Sequence, residues 1–505
     1  MGREVDARTY TREDRRIFRK KVQECVAALE RMLRENAFGD DVHRPEPLLG
    51  MEIEFNLVRR DMTPAMSNSE VLAAIDDESV FQTELGQFNV EMNVRPRPFS
   101  GEETFELERT LRASLHVADA RIGDHDAELV MIGMLPTLGL DHLGRDRITD
   151  NPRYELLNEQ IFAARGEDIE LDVDGVAMPG RPTDHLRADT NSVVPEAACT
   201  SLQLHLRVAP DEFAPHWNAA QCLAGVQVAL GANSPFLAGK ALWHETRIPV
   251  FEQATDTRPQ ELVNQGVRPR VWFGERWINS VFDLFEENSR YFPALLPEVE
   301  DQDPIAELDA GRVPSLGELQ MHNGTIYRWN RPVYDVIDGT PHLRIENRVL
   351  PAGPTVIDTM ANAAFYYGTQ RAFVESGRPL WSHMSFDAAE ENLHQGAKYG
   401  IDARVYWPDI GWVAVSELVL RKLLPLADQG LASLGVDAKA RDRYLSVVEG
   451  RCLARQNGAS WQRDRVAVRE DAGESRPDAL AGMLRDYIAH MHEGDPVHTW
   501  PVRGV

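Results

Sequence analysis

Residues 48–58 read Leu-Leu-Gly-Met-Glu-Ile-Glu-Phe-Asn-Leu-Val, an alternation that sets Met51, Ile53, Phe55 and Leu57 against Glu52, Glu54 and Asn56. Side chains of an extended strand point alternately to its two faces, so this stretch predicts a strand with one apolar and one polar side. Three other stretches repeat the pattern. Phe88, Val90, Met92 and Val94 alternate with Asn89, Glu91, Asn93 and Arg95; Leu202, Leu204, Leu206 and Val208 alternate with Gln203, His205 and Arg207. Leu343, Ile345 and Val349 stand against Arg344, Glu346 and Arg348. Alternation this clean favours an antiparallel sheet with helices on its apolar side, hence a mixed α+β chain.

The polar faces carry Glu, Asn, Gln, His and Arg. If the four strands are neighbours, Glu52, Glu54, Glu91 and Glu346 share one surface, where their charges repel unless cations lie between them. Oxygen-only donors suit Mg²⁺ or Mn²⁺ rather than zinc, and interleaved arginines suit phosphate or carboxylate groups. An ordinary solvated sheet face is the competing reading of the same pattern.

The rest of the chain narrows the classes. Its 505 residues carry 80 carboxylates against 54 Lys and Arg, a formal charge of −26. That balance argues against binding nucleic acid or an anionic membrane surface, both of which need a cationic footprint. The four cysteines (Cys25, Cys199, Cys222, Cys452) are widely spaced, which fits a reducing cytoplasm and no disulfide scaffold. The first residues lack the apolar core of a secretory signal. Residues 217–239 form an uncharged run, but Gln221, Gln227, Asn233 and Pro235 interrupt it, so it reads as a buried helix. No Gly-x4-Gly-Lys-Ser/Thr loop, GxGxxG, HExxH or GxSxG occurs, so ATP, if used, is held without a P-loop. His490 and His492 read as a helix end rather than a metal site.

Residues 11–36 predict an opening amphipathic helix with a Thr11–Asp14 capping box, followed by a linker, 36–47. Helical patterns occupy 104–126, 154–164, 211–231, 355–376 and 415–456, with a short strand near 403–407. Segments 166–189, 297–316 and 464–478 read as irregular, and the first two are long enough to act as lids. The expected division is an N-terminal helix and linker (1–47), a catalytic domain (48–462) and a charged linker with a tail helix (463–505).

Several of these residues together resemble a family. Gly50-Met-Glu52-Ile-Glu54-Phe55 is similar to the GxExE strand that opens glutamate–cysteine ligases and the related bacterial carboxylate–amine ligases. Glu84 and Glu91 resemble that family's next acidic pair, Cys199-Thr-Ser-Leu-Gln203-Leu-His205 its small-residue strand, and Ala232-Asn-Ser-Pro235 a string found at the same place. Asn323-Gly-Thr-Ile-Tyr-Arg-Trp329-Asn330-Arg331-Pro332 resembles its GT-I-x-W-x-x-R-P segment, and Arg344-Ile-Glu346-Asn-Arg348 its E-x-R strand. Asn330 stands where compact bacterial members often carry Asp.

The resemblance implies a glutamine-synthetase-like fold, a curved antiparallel sheet forming a funnel with helices outside. It implies Mg²⁺ ions held by Glu52, Glu54, Glu84, Glu91, Gln203 and Glu346, with ATP as co-substrate. Arg348 would contact the transferring phosphoryl group, and Arg331 a phosphate or the substrate carboxylate. His205, Arg344 and Trp329 would line the substrate and nucleotide sites. The expected reaction phosphorylates a carboxylate, first of all the γ-carboxylate of L-glutamate, and couples it to an amine such as L-cysteine, with a role in thiol biosynthesis. The alternatives are a non-catalytic relative that binds nucleotide or amino acid, and a small-molecule kinase on the same fold.

Overall fold

A computed structural model describes residues 9–38, 48–123, 125–178 and 180–503 of the chain. Its centre is a seven-stranded sheet: β1 (Leu48–Val58), β2 (Phe81–Thr83), β3 (Asn89–Pro98), β4 (Glu128–Val130), β5 (Ser201–Val208), β6 (Asn330–Ile337) and β7 (Thr340–Pro351). The spatial order is β6-β7-β5-β1-β3-β2, every neighbouring pair is antiparallel, and β4 also pairs with β1. All four alternating stretches are strands of this one sheet, and their apolar sets are buried with the partial exception of Val94.

Two irregularities curl it. Register shifts between Leu49 and Met51, where β1 meets β3, and between Asn347 and Leu350, where β7 meets β5. At the second, Arg348 and Val349 together oppose Gln203, a bulge of two residues against one. A bulge bends its strand and re-aims a side chain, here the arginine expected at the phosphoryl group.

Helices cover the convex side. They include α1 (Arg12–Arg34), α3 (Phe213–Gly231), α4 (Val356–Val374) and α5 (Phe386–Tyr399), whereas α2 (Pro152–Arg165) borders the cavity on the polar side. Helix α3 packs on β7, α4 and α5, and every residue from Trp217 to Gly231 is buried. Its polar residues have partners behind the sheet. Gln221 Oε1 accepts from Asn330 Nδ2 at 2.6 Å, Asn330 Oδ1 accepts from Asn347 Nδ2 at 2.7 Å, and Gln227 Nε2 donates to Asn347 Oδ1 at 3.2 Å. Asn330 therefore belongs to a buried amide chain on the helix side, facing away from Arg331. No helix among the described residues is long and apolar enough to cross a membrane.

The irregular segments need correction. Residues 166–189 hold a hairpin, Ile169–Asp174 with His185–Thr190, and 297–316 hold a short helix, Pro304–Asp309. The pattern over 415–456 breaks into pieces, the last being α6 (Ala438–Ala454), and much of 464–478 is helix α7 (Gly458–Asp471), followed by α8 (Arg476–Glu493). Charge concealed α7: Arg465 Nε and Arg469 Nη2 both donate to Asp486 on α8 at 2.7 Å, so its charged face is a paired helix surface. The capping box of α1 forms between Thr11 and Asp14, while residues 39–47 of the expected linker lie outside the described residues.

Close approach of α3 and α5 depends on glycine. A Cβ on Gly225 would sit within van der Waals radius of the Asn392 backbone, and one on Gly396 would meet the Gly225 carbonyl. Because backbone cannot yield as a side-chain tip can, Gly225→Ala is expected to lower stability by about 1–3 kcal/mol, read as an earlier midpoint in urea unfolding.

Candidate active site

Sheet register assembles the polar face. Arg331 on β6 opposes Glu346 on β7, Glu346 opposes His205 on β5, and His205 opposes Gly50 on β1. Along the same strands Gln203 opposes Glu52, Glu52 opposes Asn93, and Glu54 opposes Glu91. Directly paired residues share a face, so a diagonal band of Arg, Glu, His, Gln and Glu crosses five strands. Glu84 follows β2 at the sheet edge and reaches the same place.

Three carboxylates converge. Glu54, Glu84 and Glu91 each offer an oxygen such that all three atoms lie within 4.8 Å of one another. Each is also anchored from outside. Ser201 donates its backbone N–H to Glu54 at 2.7 Å and its hydroxyl at 2.9 Å, Leu85 N–H donates to Glu84 at 3.1 Å, and Asn93 Nδ2 donates to Glu91 at 2.9 Å. Gln203 links this trio to the arginines, donating Nε2 to Glu54 at 3.1 Å and accepting from Arg348 Nη2 at 3.1 Å.

Glu346 is held differently. Arg331 donates Nη2 and Nε to its Oε2 at 2.8 and 3.2 Å. Arg348 Nε lies 3.1 Å from its Oε1 but is misaligned for a hydrogen bond, which leaves that buried oxygen unsatisfied. Glu52 Oε1 faces His205 Nε2 at 3.3 Å, and Arg344 Nε donates to His205 Nδ1 at 3.2 Å, which assigns the ring proton to Nε2.

Electrostatics divide these carboxylates into two sets. Burial alone would raise all of them. Around Glu346 the Arg331 and Arg348 charges overcome it and pull the group down to about 2, and His205 with Arg331 holds Glu52 below the carboxylate range. In the trio burial wins, reinforced by mutual repulsion. Glu54 is pushed up to about 7 by burial and Glu84, Glu84 is raised, and Glu91 stands well above its ordinary value. Oxygen-only donors that resist ionising beside one another, together with an unsatisfied carboxylate oxygen nearby, fit a hard divalent cation.

The site residues border three neighbouring spaces. A cavity of about 690 Å³ is lined by Glu52, Glu54, Glu84, Glu91, Gln203, Arg331 and Arg348. Glu346, Arg331 and Arg344 line a neighbouring space of about 120 Å³, and Trp329 walls another of about 40 Å³. His205 lies between Glu52 and Arg344 as a bridge rather than a wall. Three lining residues escaped the sequence reading. Arg153 enters the large cavity from the first turn of α2, Tyr327 lines it just before Trp329, and Glu196 borders both the large and the smallest space. Only Glu196 left a signal: it is the one Asp, Glu, Lys or Arg between Asp189 and Arg207.

Residues 48–478 match the model of glutamate–cysteine ligase family 2. No curated protein matches the chain significantly in sequence. Among solved structures, glutamate–cysteine ligase from Francisella tularensis in complex with AMP aligns at TM-score 0.54 and 12% identity, covering 91% of each chain. A bifunctional glutathione synthetase from Pasteurella multocida aligns at TM-score 0.48 and 12% identity, over 88% of this chain and 53% of its own. The Francisella likeness speaks for the fold, a curled antiparallel sheet with helices outside. The family match spans most of the chain, including every strand of the polar face: this protein belongs to glutamate–cysteine ligase family 2, as an ATP-dependent ligase that joins a carboxylate to an amine.

Proposed function

We propose that this chain phosphorylates the γ-carboxylate of L-glutamate with ATP and couples the acyl phosphate to an amine, L-cysteine being the first candidate. The supporting observation is the convergence of Glu54, Glu84 and Glu91 within 4.8 Å, in one cavity with Arg331 and Arg348. Glu54, Glu84 and Glu91 would hold Mg²⁺ or Mn²⁺, with Glu52, Gln203 and Glu346 completing the ligand set. Bound there, the metal supplies charge neutralisation for the nucleotide phosphates during transfer. That the Francisella enzyme of like fold was solved with AMP supports nucleotide binding by this chain.

The protein's own groups supply the rest. A carboxylate is a poor acyl donor until it carries a phosphoryl group, and negative charge accumulates on that group as it moves. The Arg348 and Arg331 guanidiniums, held against Glu346, offer N–H forks to that charge without reorganising. Gln203 fixes Arg348 through its amide oxygen, so the arginine and the carboxylate trio keep one geometry. Tyr327 and Trp329 wall the cavities with aromatic surface, which keeps water from the acyl phosphate.

The reaction is tested by incubating the protein with Mg²⁺, ATP and L-glutamate, with and without L-cysteine, and weighing the products. ADP together with a γ-linked dipeptide is the expected result; ADP without dipeptide would reject cysteine, and no ADP with any acid would reject the reading. Arg348→Lys and Glu346→Gln are each expected to cut ADP release about 10²–10³-fold while the protein remains folded by circular dichroism.

Metal binding has a separate readout. Mg²⁺ at a hundred times its Kd is expected to stabilise the wild type by about 2.7 kcal/mol, measured as a denaturant shift. Glu91→Gln is expected to raise the metal-free midpoint, by removing a carboxyl that folding forces to stay protonated, and to shrink the Mg²⁺ gain.

Stability without metal depends on pH. Folded Glu54 keeps a proton up to about 7, whereas its ordinary value is 4.5. Between those values the folded state holds more protons than the unfolded chain, so stability is expected to fall as pH rises through that window. Saturating Mg²⁺ should reverse the slope, since cation binding needs the ionised ligands. Denaturant midpoints from pH 4.5 to 7, with Mg²⁺ or EDTA, check both signs.

A further inference from the structure

Arg153 stands in the first turn of α2, where its backbone N–H donates to the Asn151 side chain at 2.9 Å. The helix cap thus fixes the point from which the side chain sets out. Tyr154, next to it, donates its hydroxyl to the Thr83 carbonyl at 3.3 Å, which ties the same turn to β2, the strand that delivers Glu84. Arg153 lines the 690 Å³ cavity and also the 120 Å³ space. Only Gly324 and Arg331 share that position, so these three residues border the place where the two spaces adjoin. Arg153 lies within electrostatic range of both Arg331 and Glu84. Burial, with the Arg331 charge adding to it, opposes the charge of Arg153, and an anion seated between the two guanidiniums would offset that cost.

Five arginines and no lysine line the three spaces of the site. Four of them have a task. Arg247 holds Glu245 and the Val349 carbonyl, and Arg344 holds His205 and Asp335. Arg331 and Arg348 rise from the sheet beside Glu346 and face the transferring phosphoryl group. The reaction brings one more anion than these serve. ATP and the carboxylate under attack meet the metal ligands, Arg331 and Arg348, but an acid with two carboxylates carries its second one into the cavity as well. Enclosing that group away from water without a cation is costly, and a guanidinium fork is the side chain whose geometry matches a carboxylate. Arg153 reaches the cavity from a helix rather than from the sheet, beside Glu84 and across from Arg331, where the far end of such an acid would lie.

We infer that Arg153 is the residue that selects the acid: it receives the carboxylate that is not phosphorylated, so that a dicarboxylate is taken and its monocarboxylate counterpart refused. This rests on the ligase reading above and deepens it by naming what recognises the first substrate.

4-Aminobutyrate separates this role from others, because it is L-glutamate without the α-carboxylate and keeps the group that is phosphorylated. Mg²⁺-dependent ADP release is measured with L-cysteine present, varying L-glutamate, 4-aminobutyrate and ATP in turn, for wild type, Arg153→Gln and Arg153→Lys. Where 4-aminobutyrate is not turned over, its Ki against L-glutamate takes the place of KM. Arg153→Gln is expected to raise KM for L-glutamate about 10–100-fold, the worth of a charged hydrogen-bonded pair, and to leave the constants for ATP and 4-aminobutyrate within about twofold. Arg153→Lys, which keeps the charge and loses the fork, is expected to show the same split at smaller size, and it decides the case if the glutamine variant does not fold. A loss shared equally by both acids, a KM rise for ATP or for the amine in place of L-glutamate, or no change overturns the assignment. A wild type that handles 4-aminobutyrate as well as L-glutamate overturns it too. A wild type that releases no ADP at all is a different failure, that of the ligase reading itself.

Discussion

Four carboxylates on one face of a curled sheet set the terms for the rest of this structure. Glu54, Glu84, Glu91 and Glu196 are drawn from four separate segments and raised by burial and by one another. Nothing about strand formation needs this. A sheet face lined with Thr and Ser would fold at lower cost, since each buried like charge opposes folding. The arrangement makes sense for a site that is finished only when positive charge enters it. The metal-free protein then carries electrostatic strain that cation and substrate relieve, a common relation between stability and function.

Holding such groups in place requires a stiff backing, and the convex side supplies it. The amide chain from Gln221 through Asn330 and Asn347 to Gln227 ties α3 to β6 and β7 directly behind Arg331, Glu346 and Arg348. A period of two converts that backing into aim: fix Asn330 and Asn347 on the helix side, and Arg331, Glu346 and Arg348 must face the cavity. The bulge at Arg348 and Val349 is the one departure from the period in this part of β7, and it turns Arg348 toward Gln203. Asn330 is then a matter of the helix–sheet joint rather than of the metal site.

The same geometry explains what could be read from the sequence alone. Glu52, Glu54, Glu91, Gln203, Glu346 and Arg348 were legible because strands convert alternation into facing, and ordered motifs then tied them to a family, whereas Arg331 came only with the family's GT-I-x-W-x-x-R-P segment. Glu84 needed the family pattern, because a residue just past a three-residue strand has no period to read. Arg153 lay outside both kinds of signal, since it reaches the cavity from the end of a helix, and Tyr327 fell inside a quoted motif but at one of its unspecified positions. The hairpin within 166–189 and the helix α7 were missed for a different reason. Their charged residues resemble linker composition until tertiary partners, such as Asp486 for Arg465 and Arg469, are known.

The two electrostatic sets imply a division of labour. Glu52 and Glu346 are held low by His205, Arg331 and Arg348, so they stay ionised whatever else binds, and Glu346 fixes the two arginines in turn. Such groups position; they do not exchange protons near neutrality. The raised set behaves in the opposite way, because burial keeps its members protonated to higher pH, and each gives its proton up when something cationic arrives. For Glu54, Glu84 and Glu91, whose oxygens meet within 4.8 Å, a small hard ion answers that need. One physical rule, burial, thus yields two kinds of carboxylate side by side, and what separates them is whether the neighbouring positive charge is enough to offset it.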